Sequence, residues 1–206
     1  MTELTIVRHG QTVWHAENRY CGVSDIPLTD TGRAQAARLG EWARVHPHDV
    51  LACSPLARAR DTIAPVAAAL GREPELLADL SEVDFGVAEG RTMAELRVTD
   101  PVAAELFVAD PVRHPFPGGE PLDRAAARTL GALRGLVERR RGSRVLVVAH
   151  STALRLALCG WLGIPLARYR DVFPQFDNAA ITRLRVPADP SALPALLCLN
   201  VPTSGS

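Results

Sequence analysis

Cysteine is scarce in this chain, with four residues standing far apart at positions 21, 53, 159 and 198. They form no C-x-x-C pair, which argues against a disulfide framework and a zinc knuckle. The sequence also lacks an apolar run long enough to cross a bilayer. Its first residues have neither the basic start nor the apolar stretch of a signal peptide. We therefore expect a cytoplasmic protein.

An excess of one charge is missing as well, because 23 Lys and Arg residues balance 23 Asp and Glu residues. Nucleic acids and anionic membranes attract proteins through excess positive charge, so neither is an expected partner. His46 and His48 flank Pro47 without further ligands at suitable spacing, and we expect them in a surface loop rather than a metal site. The 206 residues suit one domain spanning 1–206, with a homodimer left open.

Short apolar runs alternate with helical patterns along most of the chain. Buried strands are predicted at Leu4–Val7, Val50–Cys53 and Arg144–Ala149, and closing strands at Asn178–Val186 and Leu196–Val201. Helices are predicted over Thr31–His46, Leu56–Leu70, Pro121–Arg141 and Ser151–Leu162. The alternation predicts an α/β fold, a three-layer α/β/α sandwich with a mainly parallel central sheet.

Residues 84–120 interrupt this alternation. The segment contains Pro101, Pro111, Pro115 and Pro117 and has little sustained periodicity, which predicts short helices and loops. We interpret it as a lid insertion over the site rather than as a second domain. Of the local signals elsewhere, Asp30 or Thr31 is expected to cap the first helix, Pro121 to take the first position of its helix, and residues 202–206 to be frayed.

Reactive side chains follow three of the predicted strands. Arg8 and His9 come after the first strand, Arg58 follows the second, and His150 and Ser151 follow the strand that ends at residue 149. Ligands of α/β folds bind at such strand ends. Two guanidinium groups and two imidazoles at neighbouring ends could surround one tetrahedral dianion. The pattern predicts a phosphate pocket.

Such a pocket can support phosphoryl transfer without a metal ion. A neutral imidazole nitrogen is a competent nucleophile toward phosphorus, and fixed positive charge stabilises the equatorial oxygens in the transition state. The leaving alkoxide needs a proton, for which Glu82 is the candidate acid. Asp84 and Glu89 are the other carboxylates close to it in the sequence.

The order of these motifs resembles that of the histidine phosphatase superfamily, in its phosphoglycerate mutase-like branch. The matching segments are Arg8-His9-Gly10, Asn18-Arg19-Tyr20 with Gly22, residues 25–29 with Gly32, residues 54–59, Glu82 with Gly86 and Glu89-Gly90, residues 117–120, and His150 with Arg155. The resemblance implies that His9 becomes phosphorylated, that Arg8, Arg58 and His150 hold the phosphoryl group, and that Glu82 acts as acid and then as base for water.

Two positions depart from the family pattern. Members often carry Asn where this chain has His15, and we expect His15 either to donate to the phosphate in its place or to alter the substrate preference. The second histidine is often followed by Gly-Gly, whereas Ser151-Thr152 follow His150 here. Contacts to the substrate or its phosphate are expected from Gln11, His15, Cys21, Gly22 and Ser151 in addition to Arg8, Arg58 and His150, with no metal and no cofactor.

The sequence favours a metal-independent phosphomonoesterase that hydrolyses a small phosphorylated metabolite, a sugar phosphate or similar, through a phosphohistidine on His9. One alternative is a cofactor-dependent phosphoglycerate-type mutase, which typically has a longer, more basic segment over the site. The lid segment here has only four basic residues, and this small number argues against a mutase. They are Arg91, Arg97, Arg113 and His114. A non-catalytic phosphate-binding relative is the other alternative, although nucleophile and acid are both present. Which phosphomonoester is the substrate does not follow from the sequence.

Overall fold

A computed structural model describes residues 1–189 and 191–203 of the chain. Its strands are β1 (Thr2–Arg8), β2 (Val50–Cys53), β3 (Glu75–Leu76), β4 (Arg144–Ala149), β5 (Ile181–Val186) and β6 (Ala195–Val201). They form one sheet with the order β3-β2-β4-β1-β5-β6. The strands from β3 to β1 run parallel and β5 runs antiparallel to its neighbours, so the predicted, mainly parallel sheet is confirmed.

Helices connect and cover these strands. They are α1 (Asp30–Val45), α2 (Ala57–Leu70), α3 (Met93–Thr99), α4 (Pro101–Ala109), α5 (Leu122–Arg139), α6 (Ser151–Leu162) and α7 (Tyr169–Val172). The four helices expected from periodicity are present, with ends shifted by one or two residues. The expectation for residues 202–206 falls mostly on residues 204–206, which lie outside the described residues.

The sheet is buried on both faces, and β4 shows how. Val145 and Val147 belong to the core cluster that contains residues of α5 and α6, whereas Leu146 and Val148 belong to the cluster formed with α1 and α2. Successive side chains of a strand point to opposite faces, so an uninterrupted apolar run fits a strand covered on both sides. The three-layer α/β/α sandwich is confirmed.

Strand register brings the candidate residues to one edge of the sheet. Arg8 of β1 lies opposite Ala149 of β4, and the His9 amide donates to the Ala149 carbonyl at 2.9 Å. The residues that follow these two strand ends, His9 and His150, therefore stand side by side. Because β2 lies on the other side of β4, Ser54 emerges at the same edge.

Three local expectations are corrected by the structure. The α1 cap is Thr29, whose hydroxyl accepts from the Gly32 amide at 3.0 Å, rather than Asp30 or Thr31. Pro121 occupies the cap position of α5 instead of its first turn. The strand expected from Asn178 begins only at Ile181, because Ala179 has a left-handed backbone with φ of 58° that interrupts an extended chain.

Residues 84–120 contain α3 and α4, in line with the expected short helices. A capping box between Thr92 and Glu95 starts α3, and the Asp100 side chain caps α4. Phe107 and Phe116 stack with ring centroids 3.9 Å apart and belong to the same core cluster as the sheet residues. No helix within the described residues is long and apolar enough to cross a membrane.

His48 does not lie in an exposed loop, contrary to expectation. Its side chain is buried, and Nε2 lies 3.0 Å from the hydroxyl of Thr5 on β1. Trp42 of α1 covers this region and stacks on His46, which is exposed as predicted. The sequence around Pro47 does not distinguish the exposed His46 from the buried His48, because tertiary contacts with β1 decide which histidine is buried.

Candidate active site

His9 lies at the floor of a cavity at the carboxyl end of β1 and is 5% exposed. Its Nδ1 lies 2.7 Å from the Gly10 carbonyl. A carbonyl can only accept, so Nδ1 carries the proton and Nε2 keeps its lone pair. Burial lowers the pKa of His9 well below its usual value, and the nearby His150, Arg8 and Arg58 lower it further. The imidazole is therefore neutral.

Arg8 places a guanidinium group beside this imidazole. Its Nη1 donates to the Phe176 carbonyl at 2.8 Å and its Nη2 donates to His15 Nε2 at 2.7 Å. Its Nε is buried and has no hydrogen-bond partner among the described residues. Burial lowers the pKa of Arg8 to about 10, which still leaves it charged at neutral pH.

His15 lines the cavity but is not free to donate to an anion. Because guanidinium groups only donate, its Nε2 must be the acceptor of the Arg8 bond. Its Nδ1 lies 2.8 Å from the Thr12 hydroxyl and 3.0 Å from the Thr12 amide nitrogen. Burial, followed by the charge of Arg8, lowers the pKa of His15 to about 4. The expected donor to phosphate is in this structure an acceptor that holds Arg8.

Arg58 and His150 lie beneath the cavity rather than in its wall, and both are fully buried. Arg58 Nε donates to His150 Nδ1 at 3.2 Å, so the proton of His150 is on Nε2, 2.8 Å from the Ser54 hydroxyl. The His9 and His150 ring centroids are 5.1 Å apart. Burial lowers the pKa of His150 well below its usual value.

The terminal nitrogens of Arg58 hold the loop that follows Tyr20. Nη1 donates to the Ser24 carbonyl at 2.7 Å, and Nη2 donates to the carbonyls of Gly22 and Cys21 at 2.7 Å and 3.3 Å. Sequence reasoning placed this side chain on the phosphate. The structure brings it to the site but directs most of its donors to backbone carbonyls.

Glu82 lies in the cavity wall and caps the N-terminus of α6. Its Oε1 accepts from the amides of Val83 at 3.0 Å and Ala153 at 2.8 Å, and its Oε2 accepts from the Thr152 amide at 3.0 Å. The first amides of a helix have no partner within it, and His150 at the cap position supplies none from its side chain. The same carboxylate thus fixes α6 and faces the cavity.

The two neighbouring carboxylates lie elsewhere. Glu89 accepts from the Gly22 and Ser24 amides at 2.9 Å each, and Asp84 accepts from the Gly86 amide at 2.8 Å. Neither lines the cavity among the described residues, so Glu82 is the one of the three that is placed to act there.

Of the remaining expected contacts, Ser151 and Cys21 line the cavity, whereas Gln11 and Gly22 do not. The Gln11 side chain accepts from the Thr29 hydroxyl at 2.8 Å. The Gly22 amide is taken by Glu89, and a Cβ at Gly22 would collide with the Val83 carbonyl, so close approach requires glycine there. Burial raises the pKa of the Cys21 thiol to about 11, which keeps it protonated.

The cavity measures about 230 Å³, and sequence reasoning missed part of its wall. Its lining consists of Arg8, His9, Thr12, Trp14, His15, Asn18, Arg19, Tyr20, Cys21, Glu82, Phe85, Ser151, Thr152 and Arg155. Trp14, Tyr20 and Phe85 make one side aromatic, a pattern that the sequence does not distinguish from core packing. In the part of the chain that the structure describes, no group of three or more His, Cys, Asp or Glu side chains is placed to hold a metal ion.

The model of the histidine phosphatase superfamily (branch 1) matches residues 4–196. The chain belongs to this superfamily. This superfamily member is an enzyme of phosphatase or mutase type. A protein of Citrobacter koseri that is named probable phosphoglycerate mutase GpmB is 35% identical over 89% of this chain and 85% of its own length.

Solved structures of phosphatases are similar over nearly the whole superfamily domain. Phosphoserine phosphatase of Entamoeba histolytica, in complex with phosphoserine, has a TM-score of 0.85 at 26% identity and covers 97% of each chain. The mycobacterial glucosyl-3-phosphoglycerate phosphatase, in complex with VO3, has a TM-score of 0.88 at 26% identity and covers 97% of this chain and 99% of its own. These names do not agree on one substrate.

Proposed function

We propose that the protein is a metal-independent phosphomonoesterase that hydrolyses a small phosphorylated metabolite, a sugar phosphate or similar, through a phosphohistidine on His9. The fixed protonation of His9 carries the proposal. With the proton of Nδ1 held by the Gly10 carbonyl, the unprotonated Nε2 has no partner among the described residues and lies beside the charged Arg8. A neutral, oriented imidazole next to a guanidinium group suits attack on a phosphoryl group.

The proposed reaction has two steps with Glu82 as acid and then base. His9 Nε2 attacks phosphorus, the ester P–O bond breaks, and the leaving alkoxide takes a proton from Glu82. Water then attacks phosphorus, the P–N bond breaks, and Glu82 accepts the water proton, which regenerates neutral His9 and releases inorganic phosphate. Glu82 Oε2 accepts a single amide, so one of its lone pairs is available for the proton.

Hydrolysis is favoured over mutase chemistry by the segment 84–120. Phe85 is the residue of this segment that lines the cavity, so among the described residues no basic side chain of the segment lies in the cavity wall. Its basic side chains bond within the segment: Arg91 to Thr99, Arg97 to Glu105 and Arg113 to Asp110. A mutase must keep its phosphoenzyme from water, and in the described residues this segment brings no basic side chain over the site for that purpose. The mutase name of the Citrobacter relative makes that activity the second candidate.

The decisive experiment measures phosphate release from 4-nitrophenyl phosphate in the presence of chelator. We expect turnover by the wild type and a loss of about 10³-fold or more in kcat for His9→Ala, as for removal of a nucleophile. His114→Ala is the matched control, because His114 is exposed and lies outside the cavity. Loss of wild-type activity on chelation, or ordinary activity of His9→Ala, would contradict the proposal.

Two further measurements test the acid and the rival activity. Glu82→Gln is expected to reduce kcat/KM for an alkyl phosphate more than for 4-nitrophenyl phosphate, because nitrophenolate leaves without a proton. The ratio of the kcat/KM values for the two substrates does not depend on the fraction of folded protein. Equal losses would argue against the acid role. If the protein interconverts 3- and 2-phosphoglycerate faster than it releases phosphate, its activity is that of a mutase and the proposed phosphatase function is wrong.

A further inference from the structure

The guanidinium group of Arg155 reaches the cavity from α6. Arg155 stands four residues after Ser151, and both line the cavity. Residues four apart share one face of a helix, and long helical side chains lean toward the N-terminus. The Arg155 side chain is therefore directed along α6 toward the strand ends where His9 and Glu82 lie.

The protein leaves one edge of this guanidinium group without a partner. Nη1 donates to the Phe173 carbonyl at 3.0 Å, and the group lies over the Tyr169 ring at 5.0 Å. Nε is buried without a hydrogen-bond partner, and Nη2 makes no hydrogen bond with any described residue. Nor is a carboxylate within ion-pair distance of Arg155 in the described part of the chain.

The free donors lie on the same edge of the group. Nε–H and the adjacent Nη2–H point in parallel, and this fork matches the two oxygens of a carboxylate. Burying a charged group without a compensating partner is unfavourable, so an arginine kept in this state by the fold suits an anion that arrives from outside. Burial lowers the pKa of Arg155, and Glu82 acts in the opposite direction.

This anion differs from the phosphoryl group that His9 attacks. Arg8, next to His9, has its own buried and unpartnered Nε for the phosphoryl group, so the free edge of Arg155 is left for a second anion. Arg8, Glu82 and Arg155 all line the same cavity. A small substrate can therefore reach both arginines if a short carbon chain separates two anionic groups.

We propose that Arg155 binds a carboxylate that the substrate carries beside its phosphate ester. The inference rests on the proposed function and narrows its substrate class to phosphorylated hydroxy acids or amino acids. Arg155 would determine specificity through the fork edge of its guanidinium group, without taking part in the transfer of the phosphoryl group.

The test compares two substrates that differ in the carboxylate alone, 3-phosphoglycerate and glycerol 3-phosphate. We expect Arg155→Met to lower kcat/KM for 3-phosphoglycerate by about 10- to 100-fold or more, because the carboxylate loses both hydrogen bonds of the charged fork. Glycerol 3-phosphate should change by less than about threefold, since it lacks the carboxylate that Arg155 would bind. Arg155→Lys keeps the charge without the fork, so its kcat/KM for 3-phosphoglycerate should lie between those of the wild type and Arg155→Met.

Arg170→Met is the matched control. Arg170 lies over the same Tyr169 ring, at 5.6 Å, but does not line the cavity. Its variant should leave the ratio between the two substrates unchanged. Equal losses on both substrates in Arg155→Met, or a change in the ratio in Arg170→Met, would overturn the proposal.

Binding measurements separate this inference from the proposed function. In the His9→Ala background, calorimetric Kd values for the two compounds are compared with and without Arg155→Met. A preference for 3-phosphoglycerate that disappears with Arg155→Met supports the carboxylate site even if no phosphate is released. If the protein hydrolyses 4-nitrophenyl phosphate but shows no such preference, the proposed phosphatase activity stands and the proposed carboxylate site is contradicted.

Discussion

His15 holds Arg8 by accepting a hydrogen bond, so its neutral state matters more than its ability to donate. The contact between His15 Nε2 and Arg8 Nη2 is 2.7 Å, and the Asn178 side-chain amide lies 3.3 Å from the same nitrogen. With a pKa of about 4, His15 keeps this lone pair at every pH from 5 upward. An asparagine at this position could offer its carbonyl oxygen to Arg8 in the same way.

Substitutions at His15 test this positioning. We expect His15→Asn to keep kcat/KM for 4-nitrophenyl phosphate within about threefold of the wild type, and His15→Leu to lose about tenfold or more, because Arg8 then loses its acceptor. Rescue by Asn distinguishes an acceptor role from a purely structural one. A His15→Leu variant with wild-type kinetics would contradict it.

The residues at strand ends were the predictable part of the site. Arg8, His9 and His150 follow their strands directly, so the register of β1 and β4 is enough to bring them together. Strand register does not determine the direction in which a side chain points. Arg58 and Gly22 bond to each other across the site, and this pairing depends on the path of a loop that has no periodic pattern.

Helices α1 and α2 approach closely at Gly40, and this contact shows what one helical glycine contributes. A Cβ at Gly40 would come within 2.9 Å of the Pro65 Cβ and 3.0 Å of the Pro65 carbonyl oxygen. Gly131 on α5 has an exposed position with nothing within 4 Å of such a Cβ. The two glycines share a helical backbone and differ in packing.

The pair of substitutions Gly40→Ala and Gly131→Ala separates propensity from packing. Both gain helix propensity, so Gly131→Ala should raise the free energy of unfolding by about 0.5 to 1 kcal/mol. Gly40→Ala should lower it by about 1 to 3 kcal/mol, because overpacking against Pro65 exceeds that gain. Urea unfolding measures both. Equal stabilisation by the two substitutions would mean that α1 and α2 can move apart freely.

Element ends illustrate why periodicity alone was insufficient. Thr29 caps α1, one residue before Asp30 and two before Thr31, since the choice depends on which oxygen reaches the Gly32 amide. Strand β3 was missed because it has two residues, Glu75 and Leu76, and exists through its pairing with β2. Such features depend on neighbours that are distant in sequence.

The folded protein keeps several histidines neutral, which makes its stability depend on pH. Burial is the largest cause of a lowered pKa at His9, His15, His48 and His150. In the unfolded chain these side chains titrate near pH 6.5. As pH falls from about 6.5 toward 4, the unfolded state binds protons that the folded state does not. The free energy of unfolding must therefore fall with pH in this range.

His48 offers a clean measurement because it lies away from the cavity. Its pKa is lowered to about 4, mainly by burial. Between pH 7 and pH 5 we expect its share of the lost free energy of unfolding to be at most about 2 kcal/mol. His48→Gln can still bond to Thr5 but does not titrate, so urea unfolding of this variant should show a smaller difference between the two pH values. An unchanged difference would contradict this assignment.

The central position of β1 also affects the order in which the protein can be made. Its two neighbours, β4 and β5, come from residues 144–149 and 181–186, near the other end of the sequence. At usual rates of synthesis, β1 leaves the ribosome roughly 10 to 40 s before β5 does. Until then the backbone edge of β1 that pairs with β5 has no native partner. His9, which follows β1, is thus synthesised well before the strands that complete its surroundings.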